Sequence, residues 1–448
     1  MNSLRLFLSR LAPLFVLTAA ALAAAPEPVL YKFDFGSGRA EPGWLPVPPA
    51  MVYADVPGYG FEPGARVTAI DRGGDPLRGD FVTGDQPFFF SFQVPAEGNY
   101  RVTVTLGDAG GSSSATIKAE LRRLMVENLR TVPGQFQTVS FIVNTRTPQI
   151  TATNGVKAGE VRLKAPRESI QEGWAWDHRI TLEFDPAPGG SVCLDALEVA
   201  PVDVPTIFLL GDSTVCDQSR EPYTSWGQML TRFFKPEVAI ANHAESGETY
   251  RDSIGRRRLD KVLSLMKPGD YLIMQFGHND QKQIKAGTGG PFTTYEAEIK
   301  EHVDAVRARG GIPVIVSPME RRFFTPDGKV RPTLADYAAA ARQAAGKLGV
   351  AFIDLNAMSI PFYEAMGPER AYLAFAGQGR ERDTTHTDSY GAYEFAKCIV
   401  QGIRDDHLGI AKYIVDDFTG FDPAHPDPVE SFDVPPSPLG TNEKPFGS

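Results

Sequence analysis

Residues Ile207 to Ser213 read Ile-Phe-Leu-Leu-Gly-Asp-Ser, an apolar run that ends abruptly at a glycine, an acid and a hydroxyl. A short apolar run of this kind is typical of a strand buried in a parallel sheet. Ligands of open α/β sheets bind just outside the carboxyl ends of such strands. Ser213 is therefore predicted to lie at a functional edge, although a lone serine after a strand more often caps the next helix.

Beyond this run, apolar segments alternate with segments of helical period. Strands are predicted at 207–210, 238–241, 271–276, 312–316 and 350–355, and helices at 225–234, 253–266, around 295–306, 333–348 and 389–403. Thr293 and Glu296 have the spacing of a capping box, and Gly310 and Gly311 predict a helix stop. This alternation over residues 206–412 predicts an α/β domain with a doubly wound parallel sheet and right-handed crossovers.

Residues 26–201 have a different pattern, which predicts an antiparallel β-sandwich. Short alternating runs, such as the one from Tyr100 to Leu106, are separated by Gly, Pro, Asp and Asn. The ends of this region loosely resemble those of jelly-roll or galactose-binding-like modules attached to bacterial polysaccharide enzymes. Trp44, Trp174 and Trp176 are expected to pack in the core, and stacking on sugar rings is the alternative.

The two ends of the chain predict export and an extended tail. Arg5 and Arg10 precede a short apolar run that ends in small residues, which predicts a signal peptide over 1–25 and a periplasmic or secreted protein. No later stretch is long and apolar enough to span a bilayer. Residues 413–448 are rich in Pro, Asp and Phe without a period, which predicts a tail that drapes over the surface or is partly disordered.

Charge and cysteine content exclude several functions. The formal net charge of -10 argues against a nucleic-acid partner, because binding phosphates needs a basic face. The three cysteines, Cys193, Cys216 and Cys398, allow either one disulfide with a free thiol or three buried thiols. No histidine spacing suggests a metal site, and no cofactor is expected.

Four short polar blocks follow predicted strand ends or precede the last helix. They are 211–213 (Gly-Asp-Ser), 242–247 (Asn-His-Ala-Glu-Ser-Gly), 275–280 (Gln-Phe-Gly-His-Asn-Asp) and 383–386 (Asp-Thr-Thr-His). A hydroxyl nucleophile needs a base, and that base needs a carboxylate to orient it. Ser213, His386 and Asp383 supply this set. The backbone N–H groups of Ser213 and Gly247 and the side-chain amide of Asn279 would form an oxyanion hole.

The order of these blocks resembles that of the SGNH (GDSL-type) hydrolases. Their amino-acid sequences are similar to those of the rhamnogalacturonan acetylesterases, a group within that superfamily. The resemblance spans roughly Thr206 to Lys412 and implies a flavodoxin-like fold. Gln275 stands where an acid is common in the family, and Glu248 follows Gly247 where a basic residue is more usual. We expect His278 to order the loop around Asn279.

The resemblance implies an exported serine esterase without a cofactor, acting through an acyl-enzyme on an acetylated plant cell-wall polysaccharide. Acetylated rhamnogalacturonan is the expected substrate. Alternatives are a xylan or other glycan acetylesterase, a lipid-directed or broad carboxylesterase and, in another class, a non-catalytic glycan-binding protein. The sequence leaves the oligomeric state and the sugar-binding capacity of the sandwich open.

An acidic protein that acts on an acidic polymer needs local cations, since salt screens its overall charge beyond about 8 to 10 Å. Arg321 and Arg322 follow a predicted strand end, and Arg380 and Arg382 precede Asp383. Guanidinium groups pair with carboxylates through two parallel hydrogen bonds. We therefore expect these four arginines to bind uronate groups. Pairing with a neighbouring carboxylate is the alternative for each.

Overall fold

The computed structural model describes residues 29–153, 155–283 and 287–445. The predicted signal peptide, residues 1–25, lies outside the described residues. Within the described ranges, no helix is both long and apolar enough to cross a membrane.

The N-terminal region consists of strands arranged in two large sheets and one small sheet. The strands are β1 (Tyr31–Phe35), β2 (Leu45–Val47), β3 (Tyr59–Phe61), β4 (Thr68–Asp71), β5 (Asp80–Gly84), β6 (Phe88–Gln93), β7 (Gly98–Gly107), β8 (Ser113–Ala119), β9 (Arg123–Thr131), β10 (Phe136–Thr145), β11 (Gln149–Ile150), β12 (Gly159–Glu160), β13 (Arg179–Asp185) and β14 (Val192–Pro201). One sheet has the order β10-β7-β14-β1-β2, with β5 joining β14 to β4, and the other has the order β3-β6-β13-β8-β9. Strands β11 and β12 pair only with each other.

A layer of aromatic side chains joins the two large sheets. The ring of Phe33 on β1 lies 5.3 Å from the ring of Phe90 on β6, and the rings of Phe35 and Phe90 are 4.9 Å apart, both pairs edge to face. All three side chains are fully buried. The prediction of purely antiparallel pairing is wrong at one place, since β1 and β2 pair in parallel.

The second region is built on a parallel sheet with helices on both faces. Its strands are β15 (Thr206–Gly211), β16 (Ala239–Asn242), β17 (Tyr271–Gln275), β18 (Ile312–Val316) and β19 (Ala351–Ile353), in the order β16-β15-β17-β18-β19. All four strand pairs are parallel. Ile207 and Leu209 of β15 belong to one apolar core, whereas Phe208 and Leu210 belong to the core on the opposite face. Alternate side chains of β15 thus hold both helical layers to the sheet.

Eight α-helices accompany this sheet in the described part of the chain. They are α1 (Trp226–Leu230), α2 (Tyr250–Gly255), α3 (Arg258–Leu265), α4 (Asp280–Gln283), α5 (Glu296–Ala308), α6 (Ala335–Leu348), α7 (Leu355–Met366) and α8 (Ser389–Asp405). Short 3-10 or π turns occur at Arg167–Gln171, Gly173–Trp176, Thr231–Phe233, Pro291–Tyr295, Ala371–Ala374, Gly409–Tyr413 and Val429–Ser431.

Three local predictions differ from the structure. The helix predicted over 253–266 is two helices, α2 and α3, because Arg257 between them adopts a left-handed conformation with φ 66°. Thr293 caps no helix, since it lies inside the π turn that precedes α5. Helix α7 was not predicted, because it contains Pro361, a residue that normally interrupts a helical pattern.

The C-terminal segment, residues 414–445, drapes over both regions. Phe418 and Phe432 pack against the core between the sheet and α8. Farther along, the buried Lys118 Nζ on β8 donates to Pro435 O at 2.8 Å. Glu221 N donates to Leu439 O at 2.8 Å. The predicted tail is therefore an ordered strip that contacts both regions.

Buried ion pairs hold the N-terminal region against the parallel-sheet region. Arg258 of α3 pairs with Glu168 at 2.5 Å, and both side chains are essentially inaccessible to solvent. Arg123 on β9 pairs with Asp217 at 3.3 Å, and its guanidinium group also donates to Asn144 O. The bounds 26–201 and 206–412 stay a prediction, and these contacts favour one cooperative unit over two independent ones.

We expect Arg123→Met to destabilise the protein strongly, because Asp217 would stay buried without this partner. Breaking a buried pair costs about 3–5 kcal/mol, and the loss is measured by urea-induced unfolding. Arg130→Met is the matched control on the same strand, since the Arg130–Asp433 pair is largely exposed and its loss should cost less than about 1 kcal/mol. Equal losses in the two variants would contradict the importance of the buried pair.

Candidate active site

Ser213, His386 and Asp383 form a continuous hydrogen-bonded relay. Ser213 Oγ lies 2.8 Å from His386 Nε2, and His386 Nδ1 lies 3.1 Å from Asp383 Oδ2. Ser213 and His386 are 3% and 2% exposed. Ser213 follows the end of β15, and Asp383 and His386 lie in the loop before α8. The sequence predicted these positions for the nucleophile and for a single loop that carries the other two residues.

Glycine and aspartate shape the turn that presents Ser213. A Cβ at Gly211 would lie 2.4 Å from a methyl group of Val215 and 2.7 Å from Gln275 O, so only glycine fits there. Asp212 accepts hydrogen bonds from the backbone and hydroxyl of Thr214 at 2.9 and 2.7 Å. These contacts stabilise a tight turn, which projects the hydroxyl from the carboxyl end of the strand.

Asp383 is held in its ionised form. Burial raises the pKa of this carboxyl, but hydrogen bonds from the side chain and backbone of His386 and from Thr385 N outweigh burial and bring the pKa below its usual value. Thr385 N and His386 N donate to Oδ1 at 2.7 and 3.0 Å. An ionised Asp383 accepts a hydrogen bond from His386 Nδ1, which fixes the orientation and the tautomer of the imidazole.

The predicted oxyanion-hole residues lie on two adjoining loops. Gly247 has φ 73°, a conformation that favours glycine. Asn279 Nδ2 donates to Glu248 O at 3.1 Å, which ties the second polar block to the third. His278 Nδ1 lies 3.2 Å from Asp212 Oδ2 beneath Ser213, and this contact joins the third block to the first. Of these six residues, all except Gly247 are buried.

The charge state of Asp212 follows from these contacts. Burial raises the pKa of its carboxyl, whereas the His278 imidazole and the hydrogen bonds from Thr214 lower it, and the net effect is a pKa below the usual value. Asp280, one residue beyond Asn279, has the opposite shift, since burial raises its pKa well above the usual range. The pKa values of the two buried carboxyls are therefore shifted in opposite directions.

Two of the four predicted arginines support the loop of the relay. Arg322 Nη2 donates to Arg382 O and Asp383 O, both at 3.2 Å. Arg382 Nη1 donates to Phe375 O at 3.0 Å and to Asp388 Oδ2 at 2.9 Å. Burial raises the pKa of Asp388 to about 6, and Arg382 is one of the groups that oppose this rise. These guanidinium groups hold protein partners, which favours a positioning role over uronate binding.

The other two arginines also have protein partners. Arg321 Nη1 donates to Gln281 Oε1 at 3.0 Å and to Thr333 Oγ1 at 3.2 Å. Arg380 pairs with Glu369 at 3.1 Å in a pair that is 75% and 80% exposed. Arg380 thus pairs with a carboxylate, whereas the side chain of Arg321 donates to an amide and a hydroxyl, and uronate binding by either residue stays a prediction.

Sequence reasoning missed the basic side chains that reach the site from the N-terminal region. Lys164 Nζ donates to Ser246 O and pairs with Glu248 Oε1 at 2.8 Å. Arg167 Nη2 donates to Gln218 Oε1 at 2.9 Å. The available signal was the cluster of three basic residues within 162–167, which no strand pattern explained.

The unusual Glu248 is explained by these partners. Besides Lys164, it lies 3.3 Å from Arg256 Nε and 3.7 Å from Arg258 Nε. Glu248 thus belongs to the contact between the two regions.

None of the three cysteines is a member of the hydrogen-bonded relay. Cys193, Cys216 and Cys398 are buried free thiols. Burial raises the pKa of Cys216 well above its usual value, although this thiol lies close to the relay. Across residues 29–153, 155–283 and 287–445, no group of three His, Cys, Asp or Glu side chains could hold a metal ion.

Comparisons with known proteins agree with this geometry. Residues 209–388 match the GDSL-like Lipase/Acylhydrolase family, and residues 31–158 match the galactose-binding domain-like family of beta-agarase and YXIM esterase-like proteins. A serine, a histidine and an aspartate in hydrogen-bond contact are arranged for nucleophilic acyl transfer, and together with the match to an acylhydrolase family and to relatives named esterases they place the chain among the carboxylic ester hydrolases. The chain is such an enzyme, and it belongs to the GDSL-like lipase/acylhydrolase family.

Individual relatives were also found by sequence and by structure. Rhamnogalacturonan acetylesterase RhgT of Bacillus subtilis is 36% identical over 220 residues, which are 47% of this chain and 94% of the relative. The uncharacterized esterase YxiM of the same organism is 29% identical over 410 residues, 87% of this chain and 94% of the relative. The crystal structure of Bacillus subtilis YXIM superposes with a TM-score of 0.43 at 26% identity, covering 85% of this chain and 99% of that one.

We expect Asn279→Ala to lower kcat by roughly 100 to 1,000-fold with a smaller effect on KM, because an oxyanion donor matters most when negative charge develops. The measurement is steady-state hydrolysis of an aryl acetate. Asn279 also donates to Glu248 O, so circular dichroism should confirm that the variant is folded. A raised KM with unchanged kcat would instead assign Asn279 to substrate binding.

We expect Arg382→Ala to lower kcat about ten- to a hundredfold on an aryl acetate and on a glycan alike, since a displaced relay loop misplaces the base. Arg380→Ala, two residues away in an exposed pair, is the matched control and should retain activity. A loss confined to acidic glycans would contradict the positioning role and support uronate binding by Arg382.

Proposed function

We propose that this chain is an exported acetylesterase that removes acetyl groups from acetylated rhamnogalacturonan. The observation that carries the proposal is the relay from Ser213 through His386 to Asp383. The choice of substrate is supported by relatives named rhamnogalacturonan acetylesterases in Bacillus subtilis and Emericella nidulans, which are 36% and 23% identical to this chain. The partner is then an acetylated plant cell-wall polysaccharide.

The first half of the reaction transfers the acetyl group to the enzyme. Ser213 Oγ attacks the acetyl carbonyl while His386 Nε2 takes the hydroxyl proton, and Asp383 stabilises the resulting imidazolium. The oxyanion accepts hydrogen bonds from Ser213 N, Gly247 N and the Asn279 amide. The bond to the sugar oxygen breaks, and His386 returns the proton to that oxygen.

The second half releases acetate. Water attacks the acetyl carbonyl of the acyl-serine, His386 accepts its proton, and the same donors bind the oxyanion. The bond to Ser213 Oγ breaks and the hydroxyl regains its proton from His386. One ester and one water thus give one acetate and one free sugar hydroxyl, and no cofactor takes part in these steps.

Location is proposed from the sequence alone. A charged start, a short apolar run and small residues over 1–25 are typical of a signal peptide, and these residues lie outside the described part of the chain. A periplasmic or secreted esterase would meet polymer fragments that a cytoplasmic enzyme does not.

Acetate release from a panel of acetylated glycans tests the function. We expect acetylated rhamnogalacturonan to be deacetylated with a higher kcat/KM than acetylated xylan or a lipid ester. Ser213→Ala is the control, and it should lose several orders of magnitude in activity while remaining folded. A higher kcat/KM on acetylated xylan would make xylan, and not rhamnogalacturonan, the assigned substrate. An active Ser213→Ala variant would refute Ser213 as the nucleophile.

A further inference from the structure

A cavity of about 710 Å³ opens beside the relay. Two of its lining residues contact the catalytic groups: Gln218 Nε2 donates to Ser213 O at 2.9 Å, and the ring of Tyr223 lies edge-on to the His386 ring at 6.1 Å. Its volume is within the range of ligand pockets, roughly 300–1,000 Å³. The cavity therefore adjoins the place where an ester must bind.

A second cavity, of about 270 Å³, continues from the first onto the N-terminal region. Gln171, Ser219 and Arg220 line both cavities, so the two form one groove. At the far end, the rings of Phe89 and Trp174 lie 5.5 Å apart. Both rings are half-buried, so part of each is open to the groove.

The apolar end of the groove is unusual for a protein surface. Ile170, beside Trp174, is 74% exposed. A half-exposed tryptophan with an exposed aliphatic neighbour offers a flat apolar face, and sugar rings present flat apolar faces of C–H groups. Aromatic side chains with one polar end are well suited to such half-wet contacts.

The C-terminal segment builds the remaining wall. Leu439 lines the second cavity, and Thr441, Glu443 and Lys444 line the first. The segment is fixed by Glu221, whose backbone donates to Leu439 O at 2.8 Å and accepts from Thr441 N at 2.7 Å. The groove is thus formed jointly by both regions and by the end of the chain.

The charges along the groove favour an acidic ligand. Arg220 is exposed at the junction of the two cavities, and its Nη1 donates to Gly440 O at 3.5 Å. Lys444 is 65% exposed and lies 3.9 Å from Asp383. Arg167 and Arg122 add positive charge to the lining, whereas Glu443 on the same wall and the buried Glu120 and Glu183 of the second cavity are the carboxyl groups that oppose it. A chain of sugars that carries carboxylates would meet Arg220 between the relay and the aromatic end.

We propose that this groove binds the glycan chain that flanks the acetylated sugar, with Trp174 stacking on a distal ring and Arg220 pairing with a uronate carboxylate. The inference rests on the proposed function and deepens it by assigning recognition of the polymer to residues of both regions. It makes the N-terminal region part of the substrate site, in addition to its structural contacts.

Oligosaccharides of increasing length test the groove. The wild-type kcat/KM should rise with the number of sugars. Relative to its effect on an aryl acetate, Trp174→Ala should lower kcat/KM for the longest oligomer about five- to tenfold, so that the rise becomes flatter. Trp44→Ala is the matched control, because Trp44 lies under Lys32 elsewhere in the N-terminal region, and it should keep the full dependence on length. Arg220→Gln should reduce preference for acidic over neutral oligomers.

Binding without turnover provides a second measurement. In a Ser213→Ala background, calorimetry should show that Trp174→Ala weakens binding of the long oligomer but not of an acetylated monosaccharide. Equal binding of the long oligomer with and without Trp174→Ala would contradict the proposal that the groove binds the glycan chain. A dependence of kcat/KM on oligomer length that persists in Trp174→Ala would contradict it as well. If rhamnogalacturonan is no substrate, the proposed function fails, and the same comparison made with the glycan that the panel identifies still decides whether the groove binds polymer.

Discussion

Charge compensation under the loop of Gly247 is the constraint on which the rest of the site depends. Glu245 and Glu248 flank this loop and are buried. Burial, with Glu172 and Glu168 nearby, raises the pKa of Glu245 well above its usual value, although Arg167 opposes the rise. Lys164 compensates Glu248. Since buried charges are tolerated only with partners, docking of the N-terminal region, which brings Lys164 and Arg167, stabilises the loop in this form.

The fold was predictable wherever local pattern decides it. The apolar run before Ser213 and the regular alternation after it led to the parallel sheet, because a buried strand needs apolar residues on both faces. Elements whose form is set by distant contacts were not predictable. Helix α7 contains Pro361, and only its packing in the finished structure shows that the chain is helical there. The break at Arg257 is equally a product of tertiary contacts.

The site was predictable in its chemistry and less so in its surroundings. A hydroxyl, an imidazole and a carboxylate at strand ends form a set that sequence order alone suggests, and the structure places Ser213, His386 and Asp383 within hydrogen-bond reach. The partners of charged side chains such as Arg322 and Lys164 could not be predicted in the same way. Their long stems reach partners that no spacing reveals, so an arginine near a crevice can support a loop as readily as it binds a ligand.

The strip of chain that crosses both regions sets an order for biosynthesis. Lys118 and Pro435 are 317 positions apart, and yet the lysine of β8 is buried against that carbonyl. A ribosome makes the first partner long before the second, so Lys118 can pair with Glu183 and Asp185 of β13 well before Pro435 covers it. Contacts between such distant positions form late and slowly. Closure of the groove by the C-terminal segment is therefore a late step of folding, and the wall beside the relay is completed only when the last residues of the chain have been made.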